Sequence, residues 1–395
     1  MQRVTAAALL AAEKETRILN PSLSQDGLAG LNIAETLGAG IVYNKEAVLV
    51  KGGLNPRGPE LDCGESGLSL RMFAAVAALS SKELRLSGSQ GLLHRPVAML
   101  EKPLRELGAR CSTQNGFPPV VVQGPLRGGR TVIDGSLSSQ FITGLLIALP
   151  TIAADSELHI RNLKSLPYVD MTLGMLHDFG IRITHNGYKD FRVKGGQSYN
   201  IGDYQVKGDW SAAAFWLAAG AWSGEVLVTD LRLDSLQADR RILEALKLAH
   251  TDVSLDQDSA LSKKSEPKAF RFDASDCPDL FPPLVALACY CDGQTILEGV
   301  DRLKHKESDR ALALSQEFGK LGANIRIRGN QMKITGGRLR GGKVKAHNDH
   351  RIAMALAVAA LGADGRVIIE EAECVAKSYP GFFEDLAQLG GKLDE

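Results

Sequence analysis

The chain has 395 residues, too many for one ordinary hydrophobic core, so two or three domains are expected. Apolar residues make up 44% and charged residues 23%, which excludes a disordered chain. Forty-six basic side chains balance 46 acidic ones, so no global field points to nucleic acid or a membrane surface, and any anion site must be a local concentration of cations.

The first predicted element is a helix over roughly Val4–Glu13, containing the run AAALLAA. That run is too short for a membrane span and lacks the flanks of a signal peptide. From here one phrase recurs: an amphipathic helix closed by glycine, then alternating β-branched residues. It occurs at AETLGAGIVY (Gly38), LRELGARC (Gly108), LHDFGIRI (Gly180), FGKLGANIRI (Gly322) and LAQLGGKL (Gly390), with a degenerate copy, LEALKLAHTDVSL, that puts Ala249 in the glycine's place. The separations are 70, 72, 69, 73 and 68 residues. Glycine after a last helical turn takes the left-handed capping conformation, and the I-x-I pattern beyond it reads as a strand. Near-even spacing makes these six β/α units.

The helices are introduced alike. LRLSG leads to SQGLLHRP, ELHIRN to LKSLPYVD, TILEGV to DRLKHKESD and RVIIEEA to ECVAKSYPG: each is a strand followed by a polar loop at a helix start. Helix N-termini offer free N–H groups and a dipole that favours anions, so converging loops of this kind build an anion-binding cleft. LKHKESDR (Leu303–Arg310) is the loop-to-helix junction of the fifth unit and reads as part of a site rather than as a solvent-facing helix. A helix starting there puts Lys306 and Arg310 on one face, with Glu307 placed to pair with Arg310. An amine among other cations has its pKa pushed down toward the range useful for proton transfer. The first unit shows no strand and loop ahead of its helix; by the repeat's logic these would precede Met1. The cysteines (Cys63, Cys111, Cys277, Cys289, Cys291, Cys374) have no paired metal spacing, Cys289-x-Cys291 being too tight for a zinc clip. Reduced thiols fit a cytoplasm.

GESGLSLR (Gly64–Arg71), HRP (His94–Pro96), SSQF (Ser138–Phe141), SLPYVDMTL (Ser165–Leu173), GDWSAAAFWLAAGA (Gly208–Ala221), LKHKESDR, NDHRIAMALA (Asn348–Ala357) and CVAKSYPGFF (Cys374–Phe383) follow in that order. With these eight motifs in register the chain resembles the 5-enolpyruvylshikimate-3-phosphate synthase family over essentially its full length. The resemblance implies the α/β two-domain enolpyruvyl transferase fold: three β/α units per domain in an inside-out α/β barrel, with the active site in the interdomain cleft. The domains are expected at 1–206 and 207–395. The implied reaction transfers the enolpyruvyl group of phosphoenolpyruvate to the 5-hydroxyl of shikimate 3-phosphate. It requires no metal or redox cofactor, and a monomer in the cytoplasm is expected.

The resemblance assigns Ser138 and Ser139 to the substrate phosphate, with Ser165 as a third donor, Tyr168 nearby and Gln140 reaching the ring or carboxylate. Standing alone, Ser-Ser before an apolar run is an N-cap. Arg95, Arg310 and Arg351, supported by Lys377, take the phosphate and carboxylate of phosphoenolpyruvate, since the planar guanidinium pairs bidentately with both groups; a lone arginine would instead suggest a surface ion pair. Gly67 lets the backbone approach phosphoenolpyruvate. Lys306 and Glu307 become proton-transfer residues, Asp279 the base near the 5-hydroxyl, and His350 a further catalytic group, although Asp279 by itself reads as a turn or cap residue. Arg3 matches a family arginine, but the Lys-Ser pair ahead of it is absent, from which weak or no activity is expected. Glu65 stands for the usual Asn, Leu68 for a common Thr, and Arg302 for a frequent substrate-contacting Asn, which bears on inhibitor (glyphosate) sensitivity more than on reaction class.

Three alternatives compete. The transferase that moves enolpyruvyl onto UDP-N-acetylglucosamine carries a reactive cysteine where this chain has Gln90. A catalytically impaired remnant would bind shikimate 3-phosphate without turnover. Nucleic-acid binding is disfavoured by scattered cations and balanced charge.

Overall fold

A computed structural model describes every residue except Glu13, Lys45, His305 and Glu395, and every remaining side chain except that of Gln90. The chain divides into two units, Met1–Val206 and Lys207–Glu395.

In the first unit, three apolar helices form the interior: Gln2–Leu10, Gly67–Ala77 and Gln140–Ala148. Leu9, Phe73, Leu145 and Leu146 on them are fully buried, each contributing roughly 1.5–3 kcal/mol relative to exposure. A helix that is apolar all round has no solvent face, so it must be wrapped by other elements. Three sheets do this, each built to one plan. The strand after a buried helix pairs in parallel with a short strand and antiparallel with the second strand of a hairpin. Glu83–Ser87 lies between Glu60–Asp62 and Phe117–Gln123, and Ser156–Arg161 between Gly129–Asp134 and Asp190–Val193. In the third sheet the parallel strand comes from far along the same half: Asp203–Gln205 pairs with Glu15–Leu19.

The second unit also has three buried helices, Trp210–Ser223, Phe281–Cys289 and His350–Ala360, which pack on one another, and one of its sheets follows the full plan. Arg271–Asp273 and Arg340–Lys345 are the short parallel strands of two of its sheets, while Glu225–Thr229 belongs to a sheet of three antiparallel strands among the described residues.

Gly38, Gly108, Gly180, Gly322 and Gly390 all have positive φ, as a left-handed helix end requires. The sixth position differs from the sequence reading. Ala249 is the helix C-cap at φ −79°, and His250 takes the left-handed conformation at φ +56°. The register of the degenerate copy is therefore one residue later, with histidine in the glycine's place. The first helix also ends earlier than expected, at Leu10, and Glu13 lies outside the described residues.

Candidate active site

In each unit many of the predicted residues lie at or just before helix starts. In the first unit the gathering is done by two polar side chains. The Gln2 amide Nε2 donates to Ser66 Oγ (2.8 Å) and Ser69 Oγ (3.1 Å), tying the first helix start to the second. Arg71 Nη1 donates to Gln140 Oε1 (2.8 Å) and its Nη2 to the Pro96 carbonyl (3.1 Å), tying the second helix to the third and to the loop that carries Arg95. Gly67 has a local reason to be glycine: a Cβ there would lie 2.8 Å from Arg95 Nη1 and 3.2 Å from Arg71 Nη1. Its absence leaves room for two guanidinium groups beside a helix N-terminus, a strongly electropositive setting.

Ser138 Oγ accepts from the Gln140 amide (3.2 Å), so the capping role open to this pair falls partly to Ser138. Ser139, the N-cap residue, makes no side-chain cap hydrogen bond and keeps its hydroxyl for another partner. Ser165 occupies left-handed backbone (φ +59°) at the start of the helix Leu166–Asp178, which carries Tyr168 in its first turn. Arg3 Nε donates to Thr172 Oγ1 (3.1 Å), which also meets Thr143 Oγ1 (3.0 Å). Burial lowers the Arg3 guanidinium pKa, with the Tyr168 and Tyr204 phenols acting in the opposite direction. These contacts join Gly67, Arg95 and Gln140 in one cluster and Arg3 to the Tyr168 helix in another.

The second unit holds an ion network centred on Arg310, which has no exposed side-chain area. Its Nε and Nη2 donate to Asp349 Oδ2 (2.8 Å) and Oδ1 (3.1 Å), Nη1 to Asp279 Oδ1 (2.8 Å) and Nη2 also to Glu307 Oε2 (2.6 Å). Lys306 Nζ donates to Asp279 Oδ1 (3.0 Å), Arg351 Nη2 lies 3.4 Å from Asp279 Oδ2, and Lys377 Nζ donates to Glu307 Oε1 (3.2 Å). Asp279, Lys306, Glu307, Arg310, Arg351 and Lys377, scattered over about a hundred positions, form one cluster with Asp349.

Two expectations are corrected here. The helix begins at Arg310, with Asp309 as N-cap accepting from the Leu312 amide (3.2 Å), so Lys306 lies on the turn before it and not on a shared helical face. Both residues still reach Asp279 Oδ1. Nor is Lys306 simply an amine among cations, since a carboxylate is its hydrogen-bond partner. His305, part of the same motif, lies outside the described residues.

The electrostatics follow from burial set against pairing. Burial pushes the Asp279 carboxyl pKa up, but Arg351, Lys306 and Arg310 outweigh it and hold the group well below the usual carboxylate range. His350, at the start of the helix His350–Ala360, is pushed down to about 3, by burial first and by Arg351 second. It is a neutral imidazole at pH 7, able to accept or donate a hydrogen bond but unable to serve as a charged acid. Arg302 stands half-buried on the turn Val300–Arg302.

Several contributors were not singled out from sequence. Arg71 is the one charge in an otherwise apolar helix, which was the available signal. Asp349 caps its helix by accepting from the Arg351 amide (3.0 Å), an ordinary role that hides its pairing with Arg310. Asp239 is buried, takes a hydrogen bond from Ser211, and is pushed up to about 6 by burial and by the charge of Asp279; nothing in its local sequence marks it. Among the described residues no His, Cys, Asp and Glu group is arranged to hold a metal, and no helix is long and apolar enough to cross a membrane.

A sequence model of the family described as EPSP synthase (3-phosphoshikimate 1-carboxyvinyltransferase) matches residues 2–386. A 3-phosphoshikimate 1-carboxyvinyltransferase of Methanocella arvoryzae is 40% identical over 386 residues, covering 96% of this chain and 91% of that protein. One from Aeropyrum pernix is 40% identical, covering 98% and 90%. A solved EPSP synthase structure from Acinetobacter baumannii superposes with a TM-score of 0.82 at 25% identity, covering all of this chain and 94% of that one.

Proposed function

Because this chain belongs to the EPSP synthase (3-phosphoshikimate 1-carboxyvinyltransferase) family, we propose that it transfers the enolpyruvyl group of phosphoenolpyruvate to the 5-hydroxyl of shikimate 3-phosphate with the residues assembled at its helix starts. The chain has the two-domain enolpyruvyl transferase fold, and residues 1–206 and 207–395 are taken as the domains. The matches over 96% and 98% of the chain favour the enzyme over a binding-only remnant.

In this reading Ser138, Ser139, Gln140, Ser165, Tyr168 and Arg3 hold shikimate 3-phosphate, with Arg302 beside them. Arg95, Arg310, Arg351 and Lys377 receive the phosphate and carboxylate of phosphoenolpyruvate, against the backbone at Gly67. A proton from Lys306 goes to the methylene carbon, leaving positive charge on the neighbouring carbon, which Glu307 stabilises. The 5-hydroxyl oxygen bonds to that carbon while Asp279 takes the hydroxyl proton. The carbon–oxygen bond to phosphate then breaks, and loss of a methyl proton, with Glu307 as acceptor, restores the double bond. Neutral His350 supplies a hydrogen bond.

While Arg351, Lys306 and Arg310 all face it, Asp279 is too well stabilised to be a strong base. Bound phosphate and carboxylate compete for the same guanidinium and ammonium groups, so substrate binding would raise its basicity when it is needed. The observation that supports this most is the network joining Asp279, Lys306, Glu307 and Arg351. We take the enzyme to be a cytoplasmic monomer, in keeping with six free cysteines. The test is phosphate release: it should require both substrates together and fail with either alone. Release from phosphoenolpyruvate alone, or none with both, would overturn the assignment.

A further inference from the structure

Glu317 lies seven residues, about two helical turns, after Arg310 on the helix Arg310–Lys320, and only 2% of its surface is exposed. A carboxylate at that depth needs donors. It has them: Lys320 Nζ (2.7 and 2.9 Å), the Lys345 backbone amide (2.8 Å) and the His347 ring Nε2 (2.9 Å), which donates in the tautomer protonated at Nε2, since an ionised carboxylate only accepts. Burial pushes its pKa up, yet the bonds from Lys320, His347 and the Lys345 amide hold it below its usual range, so it stays an anion that only accepts.

What it holds matters. His347 and Asn348 both have left-handed backbone, at φ +56° and +52°. Two successive non-glycine residues in that region persist only where the surroundings enforce them. Glu371 adds a second hold, accepting from the Asn348 amide at 3.0 Å. The next residues are Asp349, His350 and Arg351. One helix thus grips this segment twice: Glu317 holds it at 345 and 347, and Arg310 holds it at Asp349.

We propose that Glu317 is a positioning residue of the active site: through Lys345 and His347 it enforces the left-handed turn at 347–348 and so sets where Asp349, His350 and Arg351 stand. The catalytic consequence rests on the reading of Arg351 as a phosphoenolpyruvate ligand; the hold on the turn does not. Two measurements on the intact enzyme separate them. Amide hydrogen exchange across residues 345–351 should rise in Glu317→Ala while the helix Phe281–Cys289 stays protected. The KM for phosphoenolpyruvate should rise about tenfold, as expected for losing a hydrogen bond to a charged group, with that for shikimate 3-phosphate little changed. Glu317→Gln, whose amide oxygen can still accept from Lys345, should recover most of the loss. In an Arg351→Ala background Glu317→Ala should add less than about twofold, the mark of two residues acting through one contact. If Glu317→Ala does not fold, His347→Ala, which removes a partly exposed ring, carries the same exchange and KM tests. Unchanged exchange at 345–351, or equal rises in both KM values, would overturn the proposal. Raised exchange with an Arg351→Ala enzyme of normal KM would leave the positioning role standing and remove Arg351 from the ligand set.

Discussion

Asp349→Ala should destabilise the second unit by about 3–5 kcal/mol, the range for removing one partner of a buried ion pair. Neither Asp349 nor Arg310 has exposed side-chain area, and Asp349 supplies two of the four hydrogen bonds that hold the guanidinium. Arginine cannot shed its proton, so the variant keeps a buried cation short of acceptors for its N–H groups. It also loses the N-cap of the helix His350–Ala360 and the acceptor for Ser308 Oγ. Asp349→Asn keeps the cap geometry and should cost less. Thermal unfolding measures both; a melting temperature equal to the parent's would mean that Arg310 finds replacement partners.

The same pair predicts acid sensitivity, with a definite sign. Burial raises the pKa of Asp349, but Arg310 outweighs it and the group ends below its ordinary value; Asp279 is likewise held low. In the unfolded chain a carboxylate titrates near about 3.9. A depressed folded pKa contributes stability that is complete above that value and disappears as the pH falls through the folded one. The second unit should therefore lose stability below about pH 4, and Asp349→Ala should flatten part of that acid limb.

Much of this architecture was readable in the chain. The glycines at 38, 108, 180, 322 and 390 mark helix ends because few other residues tolerate positive φ, and they do adopt it. The sixth end was misplaced by one residue because histidine carries no such signature, and only the backbone shows that His250 took the conformation. The parallel strand of the first sheet was not readable as such: Asp203–Gln205 is three residues long and pairs with a strand nearly two hundred positions earlier. Long-range pairing of so short a segment leaves no local pattern to detect.

The site shows a similar division. The family resemblance brought out Asp279, Lys306, Glu307, Arg310 and Arg351, which the fold joins by hydrogen bonds and ion pairs. Inside LKHKESDR helical spacing does not hold, because Lys306 and Glu307 precede a helix that starts only at Arg310. Glu317 and Asp239 were missed for a physical reason: each is defined by donors or charges from other elements, and a carboxylate on a helix or turn looks the same whether solvent or a buried loop surrounds it.

Lys306→Met should lower kcat by about 10²–10⁴, the usual worth of a positioned acid or base, while changing stability little. The contrast with Asp349 lies in what is left behind. Lys306 is 26% exposed on a turn, and its partner Asp279 retains Arg310 and Arg351 when the ammonium is gone. No buried charge is orphaned, so the thermal transition should stay near the parent's. Methionine keeps the length and apolar stem of lysine but has no proton to give, which isolates the ammonium's contribution. If Lys306 protonates the methylene carbon, the loss must appear at saturating concentrations of both substrates, because it then acts in the transition state. If it only attracts anions, KM for phosphoenolpyruvate rises and kcat survives. Phosphate release at saturation decides between these outcomes. A kcat within tenfold of the parent's would remove Lys306 from the acid role.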